Sequence, residues 1–115
     1  METNLLPLTE ATFYILLSLS QGRKHGYAIL KNVTKLSGDT VELSTSTLYS
    51  ALSRLQEQEL IVRVEDETGD DGGPGLPRKA YELTGRGRRI LEAEVARLRR
   101  QVRAGQQVLG LEPQP

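Results

Sequence analysis

The side chains best equipped for chemistry here are hydroxyls: Ser44, Thr45, Ser46, Thr47, Tyr49, Ser50 and Ser53 crowd one short stretch, with Arg54 beside them. Hydroxyl groups both donate and accept hydrogen bonds, and their short stems let a helix that carries them approach another polar surface closely. Catalysis needs a different set. The chain has no Cys, a single His, and no legible acid–base pair, so no enzyme is expected. Gly72-Gly-Pro-Gly75 lacks the strand-to-helix context of a phosphate-cradling loop and reads as loop punctuation. His25, alone at a helix start, reads as a cap or packing residue rather than a ligand. With no clustered carboxylates either, no metal and no cofactor are expected.

The hydroxyl-bearing stretch 44–58 is organised by an apolar stripe. Leu48, Ala51, Leu52 and Leu55 fall at i, i+3, i+4 and i+7, which predicts an α-helix buried along one side. Ser44 or Ser46 suits its N-cap, where a side-chain oxygen accepts from a first-turn N–H. The outward side carries Ser46, Ser50, Ser53 and Glu57, flanked by Thr45, Tyr49 and Arg54. Such small polar residues suit a helix lying in a DNA major groove, with hydroxyl and backbone groups on phosphates. The competing reading is a Ser/Thr-rich helix that faces only solvent.

Other elements must position that helix. Leu8–Leu19 reads as a first helix, with Thr9 as N-cap after Pro7 and Glu10 at the positive end of the dipole. Its apolar residues spread round most of the cylinder, which predicts contact with its own core and with a second molecule. Residues 20–24 form the turn out. A second helix over 25–36 carries Ile29, Leu30, Val33 and Leu36 on one face and stops at Ser37-Gly38-Asp39. Thr40–Leu43 alternates and reads as a short strand. Leu60–Val64 is β-branched and reads as a strand, as does Arg78–Leu83, with the Gly- and Pro-rich acidic segment 65–77 as a loop between them. Helix, helix, helix, hairpin is the order of a winged helix.

Thr84 then caps a last helix whose Leu91, Val95, Leu98 and Val102 recur at coiled-coil spacing, flanked by Arg97, Arg99, Arg100 and Arg103. The economical reading packs it on the first helix and on its counterpart in a second subunit; the alternative packs it only on its own domain. The helical signal weakens after Gly105. The fold class is therefore mainly α with a small β-hairpin: a winged helix-turn-helix domain over 1–83, a C-terminal dimerisation helix over 84–109, and a flexible tail over 110–115.

With 115 residues and 37% hydrophobic content the chain can build one core. The absence of Cys fits a reducing cytoplasm. The N-terminus shows no signal peptide, and no apolar run is long enough to span a membrane. A soluble cytoplasmic chain is expected. The net charge is zero, but it is unevenly spread. Residues 44–77 hold two basic and seven acidic side chains, and residues 78–115 hold nine basic and four acidic. Phosphate responds to such a local field rather than to the sum.

His25-Gly26-Tyr27, then Thr47-Leu48-Tyr49, Ala51-Leu52, Arg54-Leu55, Leu60-Ile61, and Tyr81-Glu82-Leu83-Thr84 with Gly87 follow one another in an order and with gaps that resemble the PadR-like transcriptional regulators over about residues 5–92. The resemblance implies a homodimeric winged helix-turn-helix protein whose third helix enters the DNA major groove and whose last helix builds the dimer. It implies DNA contacts from Tyr27, Ser44, Thr45, Ser46, Thr47, Tyr49 and Ser50, a phosphate contact from Arg54, and Arg78 and Lys79 at the base of the wing. It implies dimer contacts from Leu8, Phe13, Leu91, Val95, Leu98 and Val102. The single C-terminal helix resembles the smaller subclass.

The sequence departs from the family pattern in three ways. Thr45, Ser46 and Ser50 stand where Pro, Gly and Pro are common, and Glu59 stands where the turn usually has Gly. The loop that would form the wing tip is acidic, so insertion of the tip beside phosphates is not expected. The partners implied are double-stranded DNA and a second copy of the chain, with no membrane; the function implied is repression at a pseudo-palindromic operator. Some relatives sense phenolic or drug-like ligands. With no Trp and no aromatic side chain in the last helix, only a small aliphatic effector pocket is left open here. The rival function is a winged-helix protein-interaction module without specific DNA binding.

Overall fold

The computed structural model describes residues 2–66 and 78–111. After a 3-10 turn at Glu2–Leu5 come α1 (Glu10–Ser20), β1 (Lys24–His25), α2 (Gly26–Leu36), α3 (Thr45–Glu57), β2 (Ile61–Asp66), β3 (Arg78–Leu83) and α4 (Gly85–Leu109). The strands form one antiparallel sheet in the order β1-β3-β2. This is a mainly helical winged helix. Segments 67–77 and 112–115, which include the expected wing tip and most of the expected tail, lie outside the described residues, as does the side chain of Arg78.

The core is the meeting of the stripes. Ile15, Leu16 and Leu19 from α1, Ile29 and Val33 from α2, and Leu48, Leu52 and Leu55 from α3 are all buried. Leu60, Ile61 and Tyr81 close it from the sheet, and Ile90 and Leu91 from α4. The caps follow the sequence: Thr9 accepts from the Thr12 N–H, Ser44 from Thr47 and Thr84 from Gly87.

Four expectations require correction. Thr40–Leu43 is not a strand, because none of the described residues pairs with it; Val41 is buried and its N–H donates to Ser37 Oγ (3.0 Å), which accounts for the alternation. His25 does not open the second helix but precedes it, since Lys24 and His25 pair with Tyr81 and Ala80 as a third strand. The hairpin runs past Val64, with Glu65 and Asp66 opposite Lys79 and Arg78. Leu8 precedes α1 rather than belonging to it, and its N–H donates to Glu94 Oε2 (2.9 Å).

The turn from α3 to β2 explains how Glu59 replaces a glycine. The Leu60 N–H donates to Leu55 O (3.0 Å) and the Glu59 N–H to Gln56 O (3.0 Å), the paired bonds of a Schellman turn. That geometry puts Glu59 at φ 62°. An L-residue there costs about 1–2 kcal/mol. Replacing Glu59 by Gly should therefore raise the unfolding free energy by about 0.5–1 kcal/mol in urea titration, glycine's larger unfolded-state entropy offsetting part of the gain. Glu59→Ala should give no such gain.

Glu94, on α4, is buried at 1% exposure. Its carboxylate accepts from Leu8 N–H and from Arg97 Nε (2.5 Å) and Nη2 (3.0 Å), clasping the segment before α1 to α4. The Arg97 hydrogen bond, outweighing burial and aided by the Leu8 N–H, holds its pKa below the usual carboxylate range. The sign follows: a depressed folded pKa gives stability that is present above the unfolded value and is lost as pH falls through the folded one. Urea midpoints should thus fall on the acid side, and Glu94→Gln should flatten that part of the profile.

Candidate nucleic-acid interface

The apolar stripe of α3 packs inward, and its opposite side is bare. Leu48, Ala51, Leu52 and Leu55 are buried, whereas Thr45, Ser46, Thr47, Tyr49, Ser50, Ser53 and Arg54 are exposed. Ser44 and Thr47 are partly committed to the helix start: Ser44 Oγ accepts from the Thr47 N–H (3.1 Å) and donates to Thr47 Oγ1 (2.8 Å). Ser46 and Ser50 share a groove of about 460 Å³ with Thr9, Thr12 and Arg54. Arg54 Nη2 donates to Thr12 Oγ1 (3.0 Å), so the guanidinium is tethered beside the start of α1 rather than extended along α3.

Tyr49 has two attachments. It is 44% exposed, yet its hydroxyl lies against Gly26, where a Cβ would stand 2.2 Å from the Tyr49 hydroxyl oxygen and 2.9 Å from its Cζ. Gly26 thus admits the Tyr49 ring over the first turn of α2. The neighbouring His25 turns its ring to β3, donating from Nδ1 to Lys79 O (3.1 Å). A carbonyl only accepts, so this bond places a proton on Nδ1. Tyr27 is 63% exposed and holds Lys31 Nζ 5.4 Å from its ring centroid. These contacts gather Tyr27, Tyr49 and Lys79 around the junction of α2, α3 and the hairpin.

Sequence reasoning missed Gly26, Lys31 and Arg63 as parts of this surface. The spacing of Tyr27 and Lys31, at i and i+4, was a legible signal for the cation–π pair. The role of Gly26 was not legible, because it depends on a residue 23 positions away. Burial pushes the Tyr81 phenol up, Tyr49 pushes it further, and the Arg63 cation acts in the opposite direction. Lys24 is pushed down by burial; its Nζ donates to Ser18 O (2.7 Å).

The residues expected at a dimer interface are more scattered in exposure. Leu91 is buried in the core of its own chain, and Leu8, Phe13 and Leu98 are half-buried. Phe13 meets Tyr14 edge-on at 5.4 Å. Val95 and Val102 are exposed, as are Val108, Leu109 and Leu111 beyond the expected seam. Leu17, Leu91, Val95 and Ala96 floor a groove of about 360 Å³ rimmed by Arg88, Glu92 and Arg99.

Residues 15–93 match the family model described as the transcriptional regulator PadR-like family. The chain belongs to that family. Among solved structures, a PadR family transcription regulator from Clostridium difficile is 27% identical, with a TM-score of 0.70 over 86% of this chain and 97% of that one. A PadR-like regulator from Bacillus cereus is 25% identical, with a TM-score of 0.69 over 88% and 92%. Bacillus subtilis PadR, solved in complex with operator DNA, is 25% identical, with a TM-score of 0.64 over 77% of this chain and 48% of that one. The chain is also 35% identical over 85 residues to an uncharacterized 37.1 kDa protein in transposon TN4556 of Streptomyces fradiae, of whose length the match takes in 22%. Among the described residues, no helix is long and apolar enough to cross a membrane.

Two glycines of this PadR-like domain separate packing against a mobile group from packing against backbone. At Gly87 a Cβ would meet Leu60 O at 2.1 Å, where only backbone could give way. At Gly26 the obstacle is the far end of the Tyr49 side chain. Gly87→Ala should cost about 3 kcal/mol in urea denaturation and Gly26→Ala about 1 kcal/mol. The latter should also move the Tyr49 ring resonances in NMR spectra.

Proposed function

We propose that this chain is a DNA-binding transcriptional repressor that acts as a homodimer on a pseudo-palindromic operator. The observation that carries the reading is the solvent-facing hydroxyl side of α3, held rigid by a fully buried apolar stripe within a PadR-like fold. A helix so mounted fits the major groove, with Ser46, Thr47, Ser50 and Tyr49 toward base edges and phosphates and the hairpin root alongside. Bacillus subtilis PadR, solved in complex with operator DNA, supports the DNA-binding reading by analogy.

The exposed apolar residues of α4, from Val95 through Val102 to Leu109, support pairing with a second copy through a continued seam. Two α3 helices would then meet successive major grooves roughly 34 Å apart. The aliphatic floor of the α1–α4 groove fits an apolar side chain of a partner helix better than a stacked aromatic ligand. Repression follows from occupancy, since a dimer on its operator excludes other proteins from the same face of the duplex.

The test is fluorescence-anisotropy titration with the duplex just upstream of the chain's own gene, at low and moderate salt. Random duplex serves as control, and light scattering is run on the same sample. We expect preferential binding by a dimer, weakening steeply as salt rises. Tyr49→Ala should lower operator affinity about ten-fold or more while random-duplex affinity falls less, as expected for a residue that reads or positions base contacts. A folded protein that binds neither this duplex nor any fragment from a genome-wide selection would overturn the reading.

A further inference from the structure

We propose that Arg63 is a phosphate-binding residue, gripping the DNA backbone in the crease between α3 and the root of the β2–β3 hairpin. The inference rests on the DNA-binding reading above and adds to it a residue that neither the hydroxyl pattern nor the family motifs mark.

Strand register supplies the geometry. Arg63 pairs by Cα with Tyr81, and Tyr81 pairs on its other side with Lys24, so one row across the sheet reads Lys24, Tyr81, Arg63. Alternation places Ile61 on the same face as Arg63. Ile61 and Tyr81 are buried, so this face turns inward, and Arg63 is the position at which it emerges into solvent. Lys79, also exposed, follows Tyr81 on that face one row nearer the tip.

Strand pairing locates Arg63 relative to α3. Arg63 pairs with Tyr81, Tyr81 pairs with Lys24, and two residues on from Lys24 stands Gly26, against which Tyr49 of α3 rests. A guanidinium next to a phenol at the edge of a hydroxyl-lined helix is a recognition set for a phosphodiester oxygen, to which Arg donates through a planar fork.

Availability separates Arg63 from five other arginines. Arg23 pairs with Glu82 (3.5 Å), Arg86 with Glu59 (3.7 Å), Arg88 with Glu92 (3.1 Å) and Arg97 with Glu94, while Arg54 is tethered to Thr12. Among the described residues, no carboxylate forms an ion pair with Arg63. The sequence between the strands carries Glu67, Asp70 and Asp71, which repel phosphate. Lys79 stands opposite Glu65, whereas Arg63 stands opposite the uncharged Tyr81, so the root attracts DNA at Arg63.

The test uses the full chain and a short labelled duplex of random sequence, because a phosphate contact is blind to sequence. Affinity is read by anisotropy across a salt series for wild type, Arg63→Gln and Arg63→Lys, with thermal melts to verify folding. Arg63→Gln should weaken binding about ten-fold and lower the slope of log affinity against log salt by about two, one contact from each subunit. Arg63→Lys should keep the wild-type slope. A steep wild-type slope left unchanged by Arg63→Gln overturns the proposal while leaving the DNA-binding reading intact. A wild-type protein that binds with no salt dependence overturns both.

Discussion

The carbonyl of Leu60 is the point through which the two halves of this molecule are joined. Its residue leaves α3 through a Schellman turn, and the oxygen accepts the Thr84 N–H (3.0 Å). Thr84 Oγ1 donates to Glu59 O (2.8 Å) in the same turn, while Gly87 presses on the Leu60 carbonyl where a Cβ could not stand. Three close contacts therefore fix the end of α3, the start of β2, the end of β3 and the first turn of α4 against one another. The hairpin projects from α3 at one set angle because its two ends are pinned there. The face of α3 that looks outward is a consequence of that pinning.

Around this joint the molecule keeps its cations local. Several arginines are matched by carboxylates on their own chain, so the neutral composition is resolved into ion pairs rather than into a uniformly neutral surface. Exposed pairs of this kind add little stability, but each removes a cation from competition for phosphate. The buried Glu94–Arg97 pair differs: with the Leu8 N–H it is fully hydrogen-bonded, and it ties the chain before α1 to α4. The face around Tyr49 keeps Arg63 and Lys79 exposed instead. Polar recognition and charge balance thus occupy different regions of a small domain.

Much of the fold was legible because three of the four helices start at a hydroxyl cap and α3 carries a clear apolar stripe. Ser44, Thr9 and Thr84 announce helix starts through their hydroxyls, and the Leu48–Leu55 stripe announces which side is buried. The β3 limits were legible from Arg78 to Leu83. What misled was local alternation without a partner: Thr40–Leu43 has the pattern of a strand, but Val41 points inward as a single anchor, and a strand exists only when another backbone completes its ladder. Lys24–His25 shows the reverse. Two polar residues have no strand pattern, yet the returning β3 presents an edge and they pair with it.

The sequence by itself determined the helix order, the hydroxyl side of α3, the hairpin and the resemblance to PadR-like regulators, because each is written in periodicity or in ordered local motifs. It marked Glu59 as standing where the turn usually has Gly, and the structure decided that Glu59 itself takes the left-handed conformation. Only tertiary structure decided that Tyr49 rests on Gly26, that Arg54 is held by Thr12, that Leu91 belongs to its own core and that Arg63 emerges beside Tyr81. Those facts depend on residues distant in the chain meeting across a packed interface. Periodicity gives the face a side chain occupies, and packing decides what stands opposite it.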